Sequence, residues 1–184
     1  LLSTDDQSIA EVGRRLDVMV PWIRPPALAS DTATSVDVAL HALEWFEGEH
    51  GSVDALMLLQ PTSPFRRPET MRLGMALFRA SSGRPVVAMS PVRHGHPLWT
   101  YRMHDGSAVP FIPRSGPEKR SQDLPQALHV NGCLYIARPS QIRDQRTFIG
   151  DRPVPLVVTD PVEAIDIDDE FDFRVAETMV QHVP

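Results

Sequence analysis

Apolar positions along the chain alternate between two spacings, and the switch between them sets out the expected elements. Ile9 to Leu16 has helical spacing, and Val18-Met19-Val20-Pro21 reads as a short strand stopped by proline. After a proline-containing loop from Arg24 to Ser30, Asp31 or Thr32 is a plausible N-cap. Val36, Ala39, Leu40, Leu43 and Phe46 then fall at i, i+3, i+4, i+7 and i+10, an amphipathic helix ending near Gly48 to Gly51. Ala55 to Leu59 is a continuous apolar run between polar flanks, the pattern of a strand covered on both faces, and is predicted at the centre of a parallel sheet.

Pro68, at a first helical position, opens a helix carrying Met71, Met75, Leu77 and Phe78 and closing near Gly83. Pro85 to Ser90 is again strand-like. The alternation then breaks. Leu98 to Arg102 and Ala108 to Ile112 flank an Asp105-Gly106 turn, and Pro113 to Gln126 is polar and rich in proline and glycine, so this stretch reads as an inserted arm. His129 to Ala137 and Val154 to Thr159 return to strand character, and Phe171 to His182 reads as a closing helix. The succession predicts an open α/β sheet with ligand loops at the strand ends.

Composition narrows the partners. The 184 residues carry 18 basic and 24 acidic side chains, a formal net charge of −6, with no basic block, which argues against nucleic acid or a membrane surface as partner. No apolar run has the length of a membrane span and the first residues lack a signal-type pattern, so a cytoplasmic protein is expected. Lys119 is the only lysine, which leaves anion contacts mainly to arginines. Cys133 is the only cysteine, so it forms no internal disulfide or cysteine zinc cage and reads as a small buried hydrophobe.

Several segments carry candidate chemistry. Leu58 to Arg67 runs from a strand straight into Gln60-Pro61-Thr62-Ser63-Pro64-Phe65-Arg66-Arg67, either a stiff ligand loop offering an amide and hydroxyls or a plain proline-stiffened turn. In Ile165-Asp166-Ile167-Asp168, extended backbone places the two carboxylates on one face about 7 Å apart. Such a pair suits Mg²⁺, which takes one or two carboxylates and leaves its other positions to water and phosphates; the same residues also suit a solvated acidic cap for the last helix. Gly132 within a strand marks either close approach of another group or a bulge, and Tyr135 shares a face with Asn131 in a regular strand. Arg24, before two prolines, is placed to hold a phosphate or to stand in solvent. His94 and His96 read as a polar loop rather than a metal site.

The order Ser3-Thr4-Asp5-Asp6, Arg24-Pro25 with Leu28 to Ala33, Leu59-Gln60-Pro61-Thr62-Ser63-Pro64-Phe65-Arg66, Gln122-Asp123-Leu124-Pro125, Asn131-Gly132 with Tyr135, and Ile165-Asp166-Ile167-Asp168 resembles the N-acylneuraminate cytidylyltransferases, the CMP-sialic acid synthetases, along the full length of the chain. The resemblance implies a Rossmann-like nucleotidyltransferase fold that activates a nonulosonic acid with CTP and releases pyrophosphate, with Mg²⁺ as cofactor. By motif, Asp166 and Asp168 correspond to the catalytic metal carboxylates. Arg24 and the turn from Ala33 to Ser35 correspond to the nucleotide side. Gln60, Asn131, Tyr135, Phe148 and Gln122 correspond to the sugar side.

By the same resemblance, residues 1–184 form a single cytidylyltransferase domain. A segment at about 94–126 corresponds to a dimerisation arm that makes the protein a homodimer. Leu1-Leu2-Ser3 corresponds to the family's second strand, so the first strand and its phosphate loop are expected to be missing and the chain to be N-terminally truncated. Trp99 stands where the family has a lysine and Ser121 where it has a basic residue; Lys119 or Arg120 is placed to supply the charge. Two alternatives are an Asp-x-Asp metal-dependent nucleotide-sugar glycosyltransferase and an inactive dimerising remnant of the same fold.

Overall fold

A computed structural model describes residues 1–113 and 120–181. Lys119 and the neighbouring part of the arm from 114, like His182, lie outside the described residues. The helices are α1 (Gln7–Arg15), α2 (Ser35–His50), α3 (Pro68–Ala80), α4 (Pro139–Gln145) and α5 (Glu170–Val180). The strands are β1 (Leu56–Leu58), β2 (Val86–Pro91), β3 (Tyr101–His104), β4 (Ser107–Pro110), β5 (Leu128–Ala137) and β6 (Val154–Val157). The fold is α/β, of the Rossmann-like nucleotidyltransferase kind expected, and its four-stranded sheet has the order β1-β5-β2-β6.

The sheet is mixed. β1 runs antiparallel to β5, with Leu56 opposite Ala137 and Leu58 opposite Tyr135. β2 and β6 run parallel, since Val154 N–H donates to Pro85 O at 2.7 Å and Val158 N–H to Met89 O at 2.9 Å, four residues further along both strands. The expectation that Ala55 to Leu59 lies at the sheet's centre is therefore corrected: β1 is three residues long, half-buried, and ends the strand order. A strand with one hydrogen-bonded neighbour is covered only as far as the helices beside it reach, whatever its own hydropathy. The fully buried hydrophobic strand positions are Val86, Val87 and Ala88 of β2, Cys133, Leu134, Ile136 and Ala137 of β5, and Leu156 of β6.

Contacts group the chain into two compact units. The first comprises Leu1–Leu58, Phe78–Val86 and Tyr135–Val154. Asp6 caps α1 by accepting from Ser8 N–H and Ile9 N–H, and Gly13 lets the helix close on the first residues, since a Cβ there would stand 2.6 Å from Leu2 Cδ2. Val18 to Val20 forms no strand, although Leu2 N–H donates to Met19 O and Arg24 N–H to Thr4 O. The cap of α2 falls at Thr34, later than Asp31 or Thr32, because Thr34 and Asp37 close a reciprocal capping box. The core of this unit joins Ala39 of α2 with Ala137, Ile142 and Phe148, and Val36, Leu40, Leu56, Leu58 and Tyr135 pack around it. Helix α4, with Pro139 at its first position, is bound to α2 by ion pairs from Arg143 to Glu47 and from Arg146 to Asp37.

The second unit comprises Leu59–Leu77, Val87–Leu134 and Pro155–Pro184. The arm forms the predicted hairpin: β3 pairs with β4 from Tyr101–Pro110 to His104–Ser107, joined by Asp105 (φ 47°) and Gly106 (φ 75°) in the left-handed region. Asp169 caps α5 in a second box with Asp172. Among the described residues no helix is long and apolar enough to cross a membrane.

Candidate active site

The centre of the second unit is a carboxylate held between a turn and a glycine. After β1 the chain folds over Gln60 to Arg67, with Ser63 N–H donating to Gln60 O at 3.3 Å. Arg66 fixes this turn from beneath: its Nη2 donates to Gln60 O at 2.8 Å and its Nε to Cys133 O on β5. Glu163, 5% exposed, fixes the far end by accepting from Arg67 N–H at 3.0 Å, while the Arg67 side chain pairs with Asp160. The proline-rich loop is therefore a braced platform: Arg66 braces it from a half-buried position, and Arg67 does so while its side chain stays exposed.

The acidic segment docks on that platform. Ile167 N–H donates to Thr62 O at 2.9 Å, and the buried Ser63 hydroxyl donates to Asp166 Oδ1 at 3.4 Å. On the other side stands Gly132, φ +73°, where a Cβ would lie 2.5 Å from Asp166 Oδ2. The glycine in β5 thus marks close approach of a carboxylate, and its left-handed backbone interrupts the regular alternation on which a shared face for Asn131 and Tyr135 depends. Asp166 is half-buried in this setting and Asp168 is exposed, its backbone N–H donating to Asp172 Oδ2 at 3.1 Å.

Asn131, 2% exposed, is fully engaged. Its Nδ2 donates to Ser90 Oγ at 2.9 Å, Ser90 Oγ donates to Val158 O at 2.9 Å, and its Oδ1 accepts from Cys133 N–H at 3.1 Å. Asn131 therefore locks β5 to β2 and β6 beside Gly132. Burial pushes the Cys133 thiol up, as expected for a packed hydrophobe. Gln60 is half-buried at the start of the turn, and Gln122 is exposed in a short 3-10 turn (Ser121–Asp123) of the arm. His94 lies in a loop, and His96 caps the short turn Pro97–Trp99 by accepting from Leu98 N–H, with its Nε2 3.0 Å from Pro125 O.

The second unit also carries an open hollow of about 310 Å³ beside this centre, lined by Ser90, Arg93, His94, His129, Pro161 and Ala164 among others. Among the described residues no group of three or more His, Cys, Asp or Glu side chains has a metal-binding arrangement. A Mg²⁺ ion does not need one, since it takes part of its shell from water and substrate phosphates. Asp166 and Asp168 offer hard oxygen donors alone, and the missing Cβ of Gly132 makes room for the first of them, so this donor set fits such an ion.

The remaining candidates lie in the first unit. Arg24 Nη2 pairs with Asp5 Oδ1 at 2.6 Å, which holds the Asp5 carboxyl below the usual carboxylate range. Arg24 Nε is buried with no hydrogen-bond partner among the described residues. Ala33 precedes the cap of α2 and Ser35 is its first residue. Tyr135 is half-buried, with Phe148 6.2 Å away between ring centroids, and Phe148 is a core residue at 5% exposure. Sequence reasoning missed Glu163 and Ser90 as site-building residues, and read Ser63 as a hydroxyl offered to a ligand where it instead donates to Asp166. Glu163 lies inside a segment singled out for its aspartates, while Ser90, at the end of an apolar run, gave no signal.

No family model matches the chain. Individual relatives do. The chain is 31% identical over 182 residues to the CMP-N,N'-diacetyllegionaminic acid synthase of Legionella pneumophila, covering 98% of this chain and 77% of that protein. It is 28% identical over 160 residues to an N-acylneuraminate cytidylyltransferase of Escherichia coli, covering 86% of this chain but 36% of that one. A pseudaminic acid cytidylyltransferase of Campylobacter jejuni is 24% identical over 137 residues, 74% of this chain and 58% of its own length.

Proposed function

The chain belongs to the N-acylneuraminate cytidylyltransferase family, an enzyme family, and on that premise we propose that it transfers CMP from CTP to a nonulosonic acid and releases pyrophosphate. The anomeric hydroxyl oxygen of the sugar forms a bond to the α-phosphorus, the bond between that phosphorus and the α–β bridging oxygen breaks, and the hydroxyl proton passes to solvent. No covalent intermediate on the protein is needed, so the catalytic work is positioning and charge stabilisation.

The observation that carries this reading is the placement of Asp166. Ser63 and Gly132 orient its carboxylate at the Gln60 turn, so an oxygen donor of fixed direction stands beside the residue assigned to the sugar. Asp166 and Asp168 would hold Mg²⁺, which when bound neutralises the charge that develops on the transferring and leaving phosphates. By motif, Gln60, Tyr135 and Gln122 are assigned to the acid sugar, with Asn131 acting from the sheet interior through the strand it locks; Phe148 backs Tyr135, and Arg24 with the Ala33 to Ser35 turn is assigned to the nucleotide. The arm at about 94–126 joins two copies as a homodimer.

Calorimetry tests the reading. Titration of the protein with CTP in Mg²⁺ gives saturable binding that Asp166→Asn weakens. Equal CTP affinity with and without Mg²⁺, in wild type and variant alike, overturns the metal assignment.

A further inference from the structure

We propose that His96 is a positioning residue: its imidazole, held as the neutral Nε2–H tautomer, clasps the two ends of the arm and so fixes where Gln122 stands. The inference rests on the functional reading above, in which Gln122 is assigned to the acid sugar, and deepens it.

The ring's two partners determine where its proton sits. Nδ1 accepts from Leu98 N–H at 3.2 Å, and a backbone amide can only donate, so Nδ1 carries a lone pair. Nε2 lies 3.0 Å from Pro125 O, and a carbonyl can only accept, so Nε2 carries the hydrogen. One tautomer satisfies both. The His96 carbonyl also accepts from Trp99 N–H at 2.7 Å, so the residue is fixed at its backbone as well as at its ring.

The bond to Pro125 joins positions 29 residues apart. His96 stands where the chain has left β2 for the arm, and Pro125 where it returns to β5. Nearer the sheet, Val92 N–H donates to Ala127 O at 2.9 Å. The base of the arm is thus closed by one backbone bond and one imidazole bond.

The returning segment carries that anchor to Gln122. Arg120 Nε pairs with Asp123 Oδ2 at 2.8 Å, and Asp123 N–H donates to Arg120 O at 2.9 Å, so the short turn bearing Gln122 is closed on itself. Only Leu124 separates this turn from Pro125, and the proline ring restricts the backbone of both residues. A closed turn on a stiff connection follows the carbonyl that His96 holds.

The test uses the whole chain labelled with ¹⁵N. Long-range ¹H–¹⁵N spectra at about pH 8, where an ordinary imidazole is neutral, should show His96 protonated at Nε2 and bare at Nδ1; the opposite tautomer overturns the proposal. Asparagine keeps an acceptor near the place of Nδ1, and glutamine keeps a donor near that of Nε2. His96→Asn should therefore move the Gln122 amide resonances and leave those of Leu134 and Ile136 in place, and His96→Gln should return them toward wild type. Unmoved Gln122 resonances in His96→Asn, or β5 resonances that move as far, overturn it.

Turnover separates the two claims. His96→Asn should raise the KM for the sugar acid about fivefold while kcat and the KM for CTP stay within about twofold of wild type, and His96→Gln should recover most of the loss. If wild type makes no CMP-sugar while Gln122 still follows the residue at 96, the functional reading falls and the clasp stands. If CMP transfer proceeds and His96→Asn leaves the KM for the sugar acid unchanged, the positioning role falls alone.

Discussion

Gly132 and Asp166 pack so closely that a Cβ on the glycine would stand 2.5 Å from Asp166 Oδ2. Alanine at this position meets two penalties. A left-handed backbone costs an L-residue roughly 1–2 kcal/mol, and the new methyl forces the carboxylate away from Ser63. Gly132→Ala is therefore expected to lower the unfolding midpoint in urea and to weaken Mg²⁺-dependent turnover. In a double-mutant cycle with Asp166→Asn the two losses of activity should be less than additive.

Asp166 and Asp168 stand in different surroundings, half-buried and exposed, yet both are assigned to the metal. Asn in place of either removes a charge and keeps the shape. Loss of several kcal/mol of charge stabilisation corresponds to a fall in kcat of roughly 100-fold or more. Steady-state kinetics with a thermal melt will show this fall without a comparable loss of stability.

The Asn131 side chain depends on Ser90 Oγ in the sheet interior. Ser90→Ala leaves the buried amide Nδ2 without its acceptor, a cost of about 1–3 kcal/mol. Calorimetric melting should register it as a midpoint lowered by roughly 2–4 °C per kcal/mol for a chain of this size.

Thr34 caps α2, and Thr34→Ala is expected to cost about 1 kcal/mol. The pH dependence at this cap follows from Asp37, whose carboxyl lies below the usual range because the Thr34 hydroxyl, the Thr34 N–H and Arg146 all donate to it. Its contribution to stability is complete above the ordinary aspartate range, near about pH 4, and disappears as pH falls through the lowered value. Urea midpoints measured in acid should decline less steeply for Asp37→Asn than for wild type.

Cys133 is fully buried and its thiol is pushed up by that burial. A thiol reagent should label it slowly in native protein and rapidly in denaturant. Fast native labelling would contradict its place in β5.

Much of this was legible in the sequence because particular residues carry a local rule. Asp105-Gly106 specified the hairpin turn, Pro68 the start of α3, and Gly132 a close approach that proved to be a carboxylate. Helix α4 was not legible, because in Pro139 to Gln145 only Pro139 and Ile142 are buried and no apolar stripe forms. The end position of β1 was hidden for the opposite reason: a short apolar run reports its own hydropathy and not how many strands pair with it. Of the candidate site, the Gln60 turn and Asp166 were marked by motif. The bracing by Glu163, Arg66 and Ser90 depends on contacts made by residues up to 96 positions apart, which no local pattern encodes.

The most direct test of the central claim follows the α-phosphate by ³¹P NMR in a mixture of the protein, CTP, Mg²⁺ and a nonulosonic acid. The account predicts a CMP phosphodiester to the sugar and an equal amount of pyrophosphate, both absent when the sugar acid or Mg²⁺ is left out and strongly reduced in Asp166→Asn. Formation of a nucleoside diphosphate sugar from a sugar 1-phosphate, or full activity in Asp166→Asn, would contradict it.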